Sequence, residues 1–263
     1  MPTKLATMIF PTLALTLAVA MPARAGLING SFEQYSGGYN ATATKLGTAS
    51  QLSNSGTGNY TALTGWTIGA GTYGFLMAPG AADTTGAYSP QFSNTLTLWG
   101  SNNGGLVSLP ASSPDGGNYV LLDAADGYRG AGISQTLTGL TKGQQYSVTF
   151  NWASGQQHGY DGITTESLQV NFGSQTQTTN VVTNASHGFT PWQQQTFTFT
   201  ADGTSDVLNF LAVGTPSGLP PMVLLDGVSF AAVPEPGSLA LVAVGLAVTA
   251  TIRRCRRPQL PEA

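Results

Sequence analysis

His158 and His187 are the only histidines in the 263-residue chain, so a histidine acting as general base must be one of these two. A serine hydrolase needs a serine and a histidine oriented by an acid, yet no Gly-x-Ser-x-Gly elbow is present. A glycosidase needs two opposed carboxylates. Between residues 26 and 232 the only glutamates are Glu33 and Glu166, with Asp123, Asp126 and Asp161 as aspartates that folding could bring together. A secreted hydrolase with such a hidden pair is the enzymatic alternative; the expectation is a protein without catalysis. Cys255 is the single cysteine, which excludes an intrachain disulfide and a cysteine-based metal centre.

Sugar recognition asks for different residues: an aromatic face for the apolar side of the ring, and polar side chains for its hydroxyls. The loop Gly155-Gln-Gln-His-Gly-Tyr-Asp-Gly162 offers Gln157, His158, Tyr160 and Asp161, and Asp126-Gly-Tyr-Arg129 offers Tyr128 and Arg129. Tyr73, Phe75 and Trp99 are further aromatic candidates. The competing reading makes these aromatics lids on a core and the histidines solvent-exposed loop residues.

Such loops need a scaffold, and its period is two. Tyr146, Val148, Phe150 and Trp152 alternate with Ser147, Thr149 and Asn151, which puts four large apolar side chains on one strand face. Leu168, Val170 and Phe172 repeat the pattern, as do Phe197 and Phe199 between threonines. Further strands are predicted over 119–122, 132–137, 207–213 and 223–230, divided by turns such as Pro114-Asp-Gly-Gly117 and Ala201-Asp-Gly203. The prediction is an all-β antiparallel sandwich of jelly-roll type with Thr, Gln and Asn outward. Residues 36–64, rich in Gly, Ser, Thr and Asn, are expected to form one long or poorly ordered loop.

Only 8% of the chain is charged, against ~25% for an ordinary soluble domain. Residues 26–232 carry Lys45, Arg129 and Lys142 against ten carboxylates, a formal charge of −7. That balance argues against nucleic acid, whose phosphates require Lys and Arg.

The ends read as addresses. Lys4, the apolar run 5–20, and Ala23 and Ala25 at small-x-small spacing form the three parts of a secretory signal peptide over 1–25. At the other end, Pro234-Glu235-Pro236 precedes sixteen uncharged residues, 237–252. As a helix these would span about 24 Å, slightly short of a ~30 Å hydrocarbon core. Arg253, Arg254, Arg256 and Arg257 follow and would hold the far end in the cytoplasm. Residues 233–257 resemble the PEP-CTERM sorting signal of Gram-negative bacteria, with 258–263 as a tail beyond it. The resemblance implies an exosortase partner, a transient stay in the inner membrane through the helix, then the cell surface or matrix. It also implies association with exopolysaccharide and biofilm.

A second resemblance covers most of 26–230. Leu27-Ile-Asn-Gly-Ser-Phe-Glu33 with Gly65-Trp66, and Leu224-Leu-Asp-Gly-Val-Ser-Phe230 at the close, are similar to the opening and last strand of galactose-binding-like jelly rolls, which include many carbohydrate-binding modules. It implies that Glu33 and Asp226 could hold a structural calcium, although the same two residues could instead only accept backbone hydrogen bonds. No other cofactor is expected. The functional expectation is an exported, non-enzymatic surface or matrix protein associated with exopolysaccharide; a carbohydrate-binding module with its own sugar site is the alternative.

Overall fold

A computed structural model of the protein describes residues 26–37, 50–57, 60–83, 96–234 and 245. The expected signal peptide and Arg cluster lie outside the described residues, as does the expected membrane helix apart from Gly245. Among the described residues no helix is long and apolar enough to cross a membrane.

The fold is the antiparallel β-sandwich expected. In chain order come β1 (Tyr35–Gly37), β2 (Ser50–Gln51), β3 (Thr61–Leu63), β4 (Thr67–Ile68) and β5 (Gly74–Met77). β6 (Tyr119–Asp123), β7 (Ile133–Thr138), β8 (Gln145–Gln156) and β9 (Thr164–Phe172) follow. β10 (Gln175–Thr178), β11 (Val182–Asn184), β12 (Phe189–Thr200), β13 (Ser205–Thr215) and β14 (Pro221–Ala232) complete it. Sheet I runs β10-β9-β13-β7-β4, with β11 also on β9; sheet II runs β12-β8-β14-β6-β5-β2; β1 and β3 form a separate ribbon.

The alternating faces meet as the period predicts. Val148, Phe150 and Trp152 of β8 pack between the sheets with Leu168, Val170 and Phe172 of β9 and Phe210 of β13. The opening motif belongs to this core: Phe32 is fully buried, with its ring 5.3 Å from that of Trp66, whose indole N–H donates to the Asn29 carbonyl at 3.0 Å. Asn29 pins the turn by accepting from Gln34 N–H through Oδ1.

Two features differ from expectation. Sheet II is buried on both faces where β5, β6 and the first half of β14 lie side by side. Its outer face carries Phe75, Met77, Tyr119, Leu121, Met222 and Leu224, covered by Ala82, Leu96 and Leu98 in a second core. Residues 36–64 are not one loop. Residues 38–49 lie outside the described residues, but Ser50–Gln51 and Thr61–Leu63 form strands, held because Leu52 and Leu63 are buried in the main core.

Antiparallel pairing gathers the chain reversals at two ends. Gln156 pairs Pro221 and Met222 pairs Asp123, so the loops after β8 and β6 and the loop before β14 leave the same rim. Val233 leaves the opposite end, where its N–H donates to the Gln145 carbonyl at 2.9 Å. The twelve residues of β14 separate rim from exit by about 36 Å at ~3.3 Å per residue.

Candidate functional site

The rim carries both predicted clusters. The first is built on Gln156, a fully buried residue at the end of β8. Its Nε2 donates to the Gly162 carbonyl at 3.0 Å, and its Oε1 accepts from His187 N–H at 3.0 Å. One side chain therefore fixes the loop after β8 and the loop after β11. Residues 97–99 lie against this strand end: Trp99 N–H donates to the Gln156 carbonyl at 3.0 Å, and His158 N–H to the Thr97 carbonyl at 2.9 Å.

Trp99 collects both histidines. Its ring stacks on His187 with centroids 3.8 Å apart and lies 4.2 Å from His158, while its indole N–H donates to the Tyr160 carbonyl at 2.8 Å. His187 Nε2 pairs with Asp161 Oδ1. The histidines are thus not solvent-exposed loop residues, as the competing reading had them; an indole supplied from 59 and 88 positions earlier holds them. Ser186 Oγ accepts from Gly162 N–H at 2.8 Å and so braces that turn.

The second cluster lies on the loop after β6, about 10 Å away across the two strand spacings from β8 to β14 to β6. Asp126 and Arg129 form an ion pair at 2.9 Å. Tyr128 is 55% exposed and meets the edge of Tyr73, centroids 6.2 Å apart. Tyr73 in turn packs edge-on against Phe75 at 4.8 Å. Phe75 itself is fully buried in the second core and cannot meet a ligand, which corrects its candidacy. Asp123 anchors the loop by accepting from Ala125 N–H at 2.8 Å, and burial raises its carboxyl to about 6.

A separate acidic site forms where the chain start meets the last strand. Glu33 accepts from Asn118 through both oxygens, from the backbone N–H at 2.5 Å and from Nδ2 at 2.9 Å. Asp226 is fully buried and accepts from Ser113 Oγ through one oxygen; its Oδ1 is buried with no partner. Burial first, then the charges of Asp115 and Glu33, raise Asp226 to about 7. Two glycines make the close approach possible. Gly117, at φ 65°, leaves room for the Glu33 carboxylate that a Cβ would strike, and Gly227, at φ 58°, would place a Cβ 2.7 Å from Asn151 Nδ2. An orphaned carboxylate oxygen crowded by like charges fits a calcium ion. Among the described residues no three His, Cys or acidic side chains converge on one point, so other oxygens would complete the shell.

A family model described as "Protein of unknown function (DUF642)" matches residues 75–218, more than half of the chain. The chain belongs to the DUF642 family. The PEP-CTERM protein-sorting motif matches residues 232–257 of this DUF642 protein, which marks it as exported and exosortase-sorted. No curated protein matches it. Similar solved structures include a CBM4 carbohydrate-binding module, at 13% identity over 78% of this chain and 98% of that one, with a TM-score of 0.28. Another is the CBM22-1 xylan-binding domain of Paenibacillus barcinonensis Xyn10C, at 16% identity over 65% and 87%, TM-score 0.32. A third is an arabinose-bound α-L-arabinofuranosidase, at 12% identity over 80% of this chain and 26% of the enzyme, TM-score 0.42.

Proposed function

We propose that this DUF642 protein is a non-enzymatic cell-surface or matrix protein of an exopolysaccharide layer, and that its loop rim binds extracellular polysaccharide. The signal peptide 1–25 directs its export and is cleaved after Ala25. The apolar segment 237–252, held by Arg253, Arg254, Arg256 and Arg257, keeps it in the inner membrane until an exosortase cuts near Pro234-Glu235-Pro236. One placement carries the binding reading: Tyr128, 55% exposed, stands beside the Asp126–Arg129 ion pair on the rim opposite the exit of Val233. While the chain is tethered, the rim points away from the membrane. The Tyr128 ring offers the apolar face, and Arg129, Asp126, Gln157 and Asp161 offer polar groups for hydroxyls.

Calcium at Glu33 and Asp226 is part of the proposal, as a clamp between the chain start and the last strand. It has no role at the rim.

A glycan array tests the rim. Tyr128→Ala should weaken binding of the preferred glycan at least about tenfold, or ~1.4 kcal/mol. Tyr128 is mostly exposed, so the melting temperature should hardly move. Tyr160→Ala should weaken binding as well. An array on which the wild-type protein retains no glycan removes the rim reading and leaves a purely structural matrix protein.

A further inference from the structure

The sandwich interior changes character just beneath the rim. Thr164 and Glu166 begin the inward face of β9, ahead of Leu168, Val170 and Phe172. Ser154 continues the inward face of β8 after Phe150 and Trp152. Each of the three is fully buried. Both carboxylate oxygens of Glu166, Thr164 Oγ1 and Ser154 Oγ lack any hydrogen-bond partner. The two hydroxyls stand near enough to favour the charged carboxylate without meeting hydrogen-bond geometry.

Enclosing a carboxylate with only two neighbouring hydroxyls to favour its charge is costly, because the group loses more in leaving water than the Thr164 and Ser154 hydroxyls return. A buried charge needs a countercharge or a proton. Among the described residues the cationic side chains are Arg129 and Lys142. Arg129 pairs with Asp126 at the surface, and Lys142 lies at the opposite end near Asp202. His187 pairs with Asp161, and His158 lies against Trp99. Neighbouring backbone offers no charge either: Glu166 sits between Gly214 of β13 and Val182 of β11.

We infer that Glu166, Thr164 and Ser154 form an interior site for a hard, oxygen-seeking cation such as calcium. All the donors are oxygens, which suits such ions and not thiophilic or imidazole-seeking metals. The ion would tie β8 of sheet II to β9 of sheet I directly below the loops that carry the rim. This site is distinct from the one at Asp226, which faces the outer side of sheet II beside Ser113 and Tyr119. Burial holds the Glu166 carboxyl at about 7, so a proton competes with the ion and the test belongs at pH 8.

Equilibrium dialysis of chelator-stripped, full-length protein against calcium counts the sites: Glu166→Gln should lose one bound calcium per chain. In an Asp226→Asn background, calcium ~100-fold above its Kd should raise the melting temperature by about 5–10 °C. Adding Glu166→Gln should abolish that shift, and adding Thr164→Val, which keeps volume but removes one oxygen, should weaken calcium at least tenfold. If Glu166→Gln binds as many calcium ions as wild type, the site is overturned. It is equally overturned if calcium, magnesium and sodium all leave the Asp226→Asn protein unshifted, which would mean that Glu166 simply keeps a proton.

Discussion

Stripped of divalent ions, the protein should melt on the order of 10 °C lower at pH 8 than at pH 4.5, the reverse of ordinary acid denaturation. Asp226, Glu166 and Asp123 are buried to 2% exposure or less, and burial raises them to about 7, about 7 and about 6 respectively. In the unfolded chain each would titrate near ~4. Between those values the folded state holds protons that the unfolded state has released, so stability falls as pH rises. It is fully present below about pH 4 and lost as pH passes through 6 to 7. At ~1.4 kcal/mol per pKa unit, each group contributes on the order of 2–4 kcal/mol, a large share of a typical ~5–15 kcal/mol total. The surplus of carboxylates adds self-repulsion in the same direction. Asp202, exposed and lowered by Ser174 N–H, opposes the trend weakly. Asp226→Asn should flatten the profile, because the amide cannot ionise. Calcium should flatten it too, by stabilising the ionised carboxylates it binds. Scanning calorimetry from pH 4 to 8, with chelator and with calcium, reads both. A melting temperature that rises steadily toward pH 8 in chelator would show that these carboxyls are not the buried acids described here.

What the sequence could announce was whatever repeats locally. β8, β9 and β12 were legible because one face of each is apolar and the other is not: Phe197 and Phe199 point inward while their threonine neighbours face out. β5 was not, because Gly-Phe-Leu-Met is buried on both faces and has no alternation to detect. Its cover comes from Leu96 and Leu98, about twenty positions later. β10 and β11, short and largely polar at the margin of sheet I, carry no apolar period either. At the rim, the sequence located Gln157, His158, Tyr160 and Asp161 because they are contiguous. It gave no hint of His187 as the partner of Asp161, 26 residues away, nor of Gln156 as the residue that fixes both loops. Glu33 and Asp226 came from motif resemblance alone, since no spacing rule relates positions joined only by strand pairing. Glu166 was visible as a carboxylate; its burial was not.

The native protein should end near Pro234-Glu235-Pro236 and lack Arg253 to Arg257, as intact-mass measurement on protein from its host would show. The physical case begins at Val233, half-buried and tied to the sandwich through Gln145 and Gln144. Pro234 is exposed one residue later. Pro234 and Pro236 lack N–H donors and hold their neighbours extended, so this strip can extend neither β14 nor the apolar segment after it. A processing enzyme at the membrane would therefore meet a strip that belongs neither to the sandwich nor to the proposed tether. In the proposed reading, the sixteen uncharged residues would barely span the hydrocarbon core and the four arginines would keep the far end in the cytoplasm, so the tether would hold until it is cut. Replacing Pro234, Glu235 and Pro236 by alanine should move nearly all of the protein from the surface fraction to the inner membrane at full length. The domain's own melting temperature should stay put, because the substituted residues lie beyond Ala232, the last residue of β14. If the triple-alanine protein reaches the surface as well as wild type and the native protein keeps its arginines, segment 237–252 is a permanent anchor. The rim would then stay tethered at the inner membrane, facing the periplasm instead of the matrix.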